Sequence, residues 1–261
     1  MKKAQLYLIG GALILVLILF QLPRQVVEND QLQEVTQSES HSMAIPQEVE
    51  NQIAELRRLI QDDNNFDKRA NFAHSLARRF LDYGVLDSAV GYAKRIESWS
   101  DDPSTLAADI YFTAFERSPS PEMGVSYAGE ARRILSQLLD EDPSNLDLKN
   151  RLAMTLVVSE NPMSGISMLR EILAEDETNR QAILNLGLLA IQSGQFERAK
   201  ERFENLVLLN PADHEAKLYL AVSMMEINQQ SQARLLLEEI LATQDSIPAI
   251  KMMANDYLKM L

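Results

Sequence analysis

From Ala4 to Leu22 the chain runs apolar without a single charge, and from Pro46 onward apolar residues recur three or four positions apart. The second pattern is that of helices with one buried face. Between the two, "QVVENDQLQEVTQSESHSMAI" (25–45) has no period, is polar and acidic, and reads as a tether. "PQEVENQIAELRRLI" opens the periodic part: Val49, Ile53, Leu56 and Ile60 share a face, and Pro46 suits a first turn. Nine Gly and nine Pro are few for a chain of many tight turns, so the periodic part reads as all-α. Three segments follow: an anchor over 1–24, a flexible acidic tether over 25–45 and a helical domain over 46–261.

Within that domain, small residues that open a second helix stand at Ala89, Ala131, Gly165, Ala199 and Ala233, separated by 42, 34, 34 and 34. A fixed period of that size marks a helix–turn–helix array. The clearest units are 146–179, 180–213 and 214–247, and "IPAIKMMANDYLKML" supplies a terminal helix over 248–261. The long first interval carries eight extra residues, expected at "SWSDDP" (98–103) and "RSPSPEMG" (117–124). The best-kept unit is "ILNLGLLAIQSGQFERAKERFENLVLLNP" (183–211). There Gly187 and Ala199 let two antiparallel helices approach, Phe203 fills the space between pairs, and Gly194 ends the first helix. Pro211 cannot continue the second.

These residues resemble the tetratricopeptide repeat (TPR), in which a large residue, Leu-Gly and an aromatic are followed by Ala, an aromatic and Pro. Ile183, Leu186, Gly187, Ala190, Ala199, Phe203 and Pro211 hold those places, and Ile183 and Ala190 depart from the aromatic preference. Related sets occur at Leu220, Ala221, Met224, Ala233 and Leu237; at Leu152, Ala153, Leu156, Gly165 and Leu169; and at Leu76, Ala77, Phe80, Gly84 and Ala89. The resemblance runs from about residue 66 to 246. It implies an α-solenoid whose first helices line a concave groove for a peptide or partner helix. Leu184, Asn185, Leu188, Gln192, Leu218, Val222 and Met225 are the residues expected to touch a partner. This largely apolar set suits an extended peptide or the apolar side of a helix. Well-known peptide-binding relatives grip a terminal carboxylate with Lys, Arg and Asn. Only Asn185 matches such a clamp here, because Asn150, Met154, Glu215 and Tyr219 hold its other places.

Charge narrows the partner. Lys2, Lys3 and Arg24 are the only charges before Val26, so the remainder carries 22 basic and 38 acidic residues, a net of −16. Phosphate backbones would be repelled, and nucleic acid is not expected. No cysteine exists, and no H-E-x-x-H, G-x-S-x-G or phosphate-binding glycine motif occurs. His41, His74 and His214 lie in separate segments. "DEDPSN", "EDETN" and "SWSDDP" lack the spacing of a calcium loop and read as solvated turns. The chain is therefore read as non-enzymatic, with no catalytic residue, metal or cofactor.

Ala4 to Leu22 is 19 residues, about 28 Å as a helix and close to the thickness of a bilayer core. Two lysines before it against one arginine after it place the N-terminus in the cytoplasm and the repeats outside it, in the periplasm of a Gram-negative cell. The sum is a single-pass membrane-tethered TPR scaffold that recruits proteins, with a role in envelope assembly. An extracytoplasmic holder of unfolded clients is the alternative. Met252, Met253 and Met260 near an end without a polar tail add the expectation of self-association through the C-terminal helix.

Overall fold

The computed structural model describes residues 45–261 except 101, 103 and 245, so the expected anchor and most of the tether lie outside the described residues. Twelve helices run through them, with no strand among the described residues. The first six are α1 (Gln47–Asp62), α2 (Phe66–Asp82), α3 (Leu86–Glu97), α4 (Thr105–Glu116), α5 (Pro121–Glu141) and α6 (Leu146–Val157). The others are α7 (Pro162–Glu175), α8 (Arg180–Gln192), α9 (Phe196–Leu209), α10 (His214–Glu226), α11 (Gln230–Ala242) and α12 (Pro248–Met260). None of them is long and apolar enough to cross a membrane.

Each helix packs on the next, and the pairs are α2/α3, α4/α5, α6/α7, α8/α9 and α10/α11. First helices also touch one another, α2 with α4, α6 with α8 and α8 with α10, and α12 continues the row against α10. The local sequence sets this rhythm. Every first helix of a pair starts on a side-chain cap: Asn65, Ser104, Asn145, Asn179 and Asp213 each accept a hydrogen bond from the backbone N–H three residues on. Such a cap satisfies one of the free donors of a helix start and is worth about 1 kcal/mol.

The acidic runs have a structural use in the same turns. Asp142 accepts from Ser144 Oγ at 2.9 Å and Asn145 Nδ2 at 3.1 Å, and Asp176 accepts from Thr178 Oγ1 at 2.8 Å. These bonds hold both carboxyls below the usual range. The turns within two pairs use Gly84 (φ +73°) and Gly194 (φ +70°), left-handed positions where a Cβ is disfavoured. Asn228 (φ +62°) does the same in α10/α11.

Close helix approach explains the small residues. Ala89, Ala131, Ala199 and Ala233 have no exposed surface. A Cβ on Gly187 would lie 2.5 Å from the Phe203 ring, and one on Gly165 would lie 2.3 Å from Ala153 O. Phe203 is wholly buried and stacks on Tyr219 of the next pair with ring centroids 5.5 Å apart. The core is a seam in three sections, from Ile53 to Leu152, from Ala153 to Leu186, and from Ile183 to Ala254.

The irregular interval differs from expectation. Helix α5 begins ten residues before Ala131, whereas α3, α7, α9 and α11 begin three residues before their small residue. Seven of the eight extra residues are thus two added helical turns, opened by Pro121 on a Ser120 cap. Two whole turns keep the buried face in place, so the insertion leaves the pairing intact.

Candidate partner-binding groove

The five first helices present one face to a cavity of about 960 Å³, and no second helix of a pair contributes to its lining. Helical spacing brings the residues there. Asp109, Phe112 and Glu116 of α4 are three and four apart, as are Asp147, Asn150, Arg151 and Met154 of α6. On α8 the lining residues include Gln181, Leu184, Asn185, Leu188 and Gln192, and on α10 Glu215 and Tyr219.

One carboxylate joins three first helices across this face. Asp109 accepts from His74 Nε2 of α2 at 2.9 Å and from Arg151 Nη1 of α6 at 2.9 Å, with Arg78 Nη1 at 3.6 Å. The His74 bond, with Arg151 behind it, holds the Asp109 carboxyl at about 2 against the opposing effect of burial. Arg151 also lies 5.4 Å from the centroid of the Phe112 ring, a cation–π contact that fixes its plane. Arg117 donates to Leu81 O at 2.8 Å and meets Asp82 at 3.3 Å, tying the turn after α4 to the end of α2. At the other end, Arg180 donates to Glu215 at 2.7 Å and to both oxygens of Asp213 at 2.7 and 3.0 Å. The cap of α10 is thereby locked to α8.

Amides continue the wall. Asn150 Nδ2 donates to Leu146 O at 3.0 Å and to Asn179 Oδ1 at 3.1 Å. Asn179 Oδ1 also caps α8. Asn185, 4 % exposed, accepts from Gln181 Nε2 at 3.0 Å. Among the described residues no three His, Asp or Glu side chains converge as a metal site would require.

Residues 190–255 match the tetratricopeptide repeat family. A solved tetratricopeptide repeat protein from Parabacteroides merdae superposes with a TM-score of 0.56 at 16 % identity, covering 80 % of each chain. The fold is a tetratricopeptide-type array. Two other solved structures superpose less closely. YrrB, described as a TPR protein with an unusual peptide-binding site, has a TM-score of 0.42 at 20 % identity, covering 78 % of this chain and 97 % of its own. A thermophilic TPR protein of Thermus thermophilus has a TM-score of 0.48 at 14 % identity, covering 67 % of this chain and 98 % of its own. No curated protein matches the chain.

In this tetratricopeptide-type array the expected contact residues divide into two groups. Leu184, Asn185, Leu188 and Gln192 line the groove. Leu184 and Asn185 are buried parts of its wall rather than exposed contacts, while Leu188 is half-buried and Gln192 is open to solvent. Leu218, Val222 and Met225 do not line it. Leu218 is 1 % exposed and shares a core with Ala254, because α12 packs beside α10. Glu215 and Tyr219 take the groove positions on α10 instead.

The five clamp places, Asn150, Met154, Asn185, Glu215 and Tyr219, all reach the groove, yet none offers a cation. The apolar character expected from the last two units also changes. Phe112, Phe115, Met154 and Val157 alternate with the charges of Arg78, Asp109, Glu116 and Arg151. The ion cluster is not legible in the sequence because Asp109 meets His74 35 residues before it and Arg151 42 residues after it. The usable signal was the i, i+3, i+4 spacing of Asp109, Phe112, Thr113 and Glu116 on an otherwise apolar helix.

Proposed function

We propose that this chain is a non-catalytic scaffold that binds proteins by holding a segment of a partner in the groove of its first helices. The observation that carries the reading is a cavity of about 960 Å³ formed by five helices from five different pairs. A volume of that order suits several side chains, and its size arises from the array rather than from any one repeat.

The scaffold is anchored by residues 4–22 and extends through a tether whose some 20 residues reach about 25 Å if flexible. Anchoring turns a weak encounter into an effectively intramolecular one. The two lysines before the span support a repeat domain outside the cytoplasm, and envelope assembly is the setting this layout suits. The charged wall favours a recruiting scaffold over a holder of unfolded clients, since an indiscriminate holder gains little from a fixed ion network. Met252, Met253 and Met260 are exposed on α12 and offer the same scaffold a self-contact.

A photo-crosslinking residue placed at Gln192, inside the groove, should give discrete adducts in cells. The same residue at Leu208, 82 % exposed on α9, should give none, and Leu188→Asp should remove the Gln192 adducts. Adducts from Leu208 alone would overturn the reading. For topology, added protease should digest residues 26–261 in spheroplasts, and full protection would refute the orientation.

A further inference from the structure

The charges that line the groove restrict what a bound segment can carry. Three guanidiniums reach the cavity, and each already has an acid: Arg78 and Arg151 share Asp109, and Arg117 lies on Asp82. Glu215 is held by Arg180. Two lining carboxylates, Glu116 and Asp147, have no cation within 4.0 Å among the described residues.

Glu116 is the more telling of the two. It is the last residue of α4, where the negative end of the helix dipole opposes an anion. Its side chain reaches solvent, yet the groove walls strip enough water to push its carboxyl above the ordinary range, even with Arg151 and Arg117 nearby. Asp147 lies in the first turn of α6, where the dipole favours its charge.

A second observation points the same way. Asn150 is one turn beyond Asp147 on the groove face of α6 and only 2 % exposed. Both donors of its amide are used, but its Oδ1 receives no hydrogen bond. A buried acceptor without a donor is costly. Two carboxylates without an ion-pair partner beside an amide oxygen without a donor leave this face of the groove short of positive charge, which an Arg- or Lys-bearing peptide supplies.

The spacing is fixed by the helices. Glu116 is the twelfth residue of α4 and Asp147 the second of α6, and first helices of successive pairs run in the same direction. Ten residues of helix separate the two levels by about 15 Å, and with a sideways offset of about 9 Å between neighbouring helices the carboxylates lie about 17–18 Å apart, a distance an extended chain covers in about five to six residues. We propose that the groove selects a basic segment of a partner protein, extended, with two Lys or Arg side chains five or six residues apart. One sits on Glu116 and one on Asp147. The net charge of −16 after Val26 draws such a segment in. The inference rests on the groove being the binding site, as proposed above.

The test is selection of a displayed library of random dodecamer peptides on the full chain in mild detergent. Fluorescence anisotropy of a selected peptide follows, on wild type, Glu116→Gln, Asp147→Asn and the groove-filling Leu188→Trp, each checked for helicity. Enriched sequences should carry the basic pair. Each charge-removing variant should weaken binding about 5- to 10-fold and flatten its dependence on salt, and Leu188→Trp should abolish it. Neutral or acidic sequences that are lost on Leu188→Trp would overturn the basic-segment inference and leave the groove reading standing. Basic sequences indifferent to Glu116→Gln and Asp147→Asn would report the acidic surface alone and overturn it too. Enrichment indifferent to Leu188→Trp, or no enrichment, would sink both.

Discussion

Glycine to alanine within a helix should change sign along this chain according to the space beside the residue. In α8, a Cβ on Gly187 would lie 2.5 Å from Phe203 Cζ and 2.7 Å from Cε1. Carbon contacts are comfortable at about 3.5–4.0 Å, so the ring has to retreat by about 1 Å. It has nowhere open to go, being wholly buried and stacked on Tyr219. Overpacking of this kind costs about 1–3 kcal/mol, while removing a helix-interior glycine returns about 0.5–1 kcal/mol. Repulsion wins, and Gly187→Ala should lose about 1–2 kcal/mol. Each kcal/mol lowers Tm by about 2–4 °C at this size.

Gly165→Ala should lose more. Its Cβ meets backbone, Ala153 O at 2.3 Å and Val157 N at 2.9 Å, which cannot swing aside as a ring can. Gly91 in α3 and Gly129 in α5 have nothing within 4 Å, so alanine there should gain about 0.5–1 kcal/mol. Thermal and urea unfolding followed by circular dichroism measures all four. Phe203→Leu should shrink the Gly187→Ala penalty when the two are combined. If Gly187→Ala were as stabilising as Gly129→Ala, close helix approach would not be the reason for the small residues.

Two further changes probe the network around the groove. Asp109→Asn should cost about 2 kcal/mol near neutral pH, the worth of a carboxyl brought from 3.8 to about 2. Because its carboxyl is lowered in the fold, the stability it contributes is present above about pH 4 and is lost as pH falls toward 2. Urea midpoints of wild type and variant should therefore converge over that window, and a constant gap would deny Asp109 the role. Asn179→Ala removes the cap of α8 and an acceptor for Asn150, and should cost about 1–2 kcal/mol by the same assay. A change under a few tenths would count against the cap.

The regular period was readable because the later pairs repeat one solution, with a cap before the first helix, a tight turn, and a small residue on the second helix. Ala131 broke the count for a physical reason. Its two extra turns are helix, so no breaker other than Pro121 marks them. The α8 wall was legible from Gly187 and its neighbours at helical spacing, whereas Leu218 was not, although it stands 34 residues after Leu184. What differs is the neighbour, since α12 follows α10 and shares its core. The ion network was out of reach because Asp109 gathers His74 and Arg151 from helices that only the array brings together. The acidic turns at 140–145 and 175–179 face solvent as expected, and Asp142 and Asp176 in them also brace the caps at Asn145 and Asn179.

The central claim, that the face of the first helices is the binding surface, is tested most directly by methyl NMR of the full chain titrated with a selected peptide. Met154, Leu184 and Leu188 line the groove, while Met163, Leu208, Leu235 and Met252 lie outside it on exposed surface. The account predicts saturable shifts at Met154, Leu184 and Leu188 with the outer methyls unmoved. Shifts confined to Met163, Leu208, Leu235 or Met252, with the groove methyls still, would contradict it.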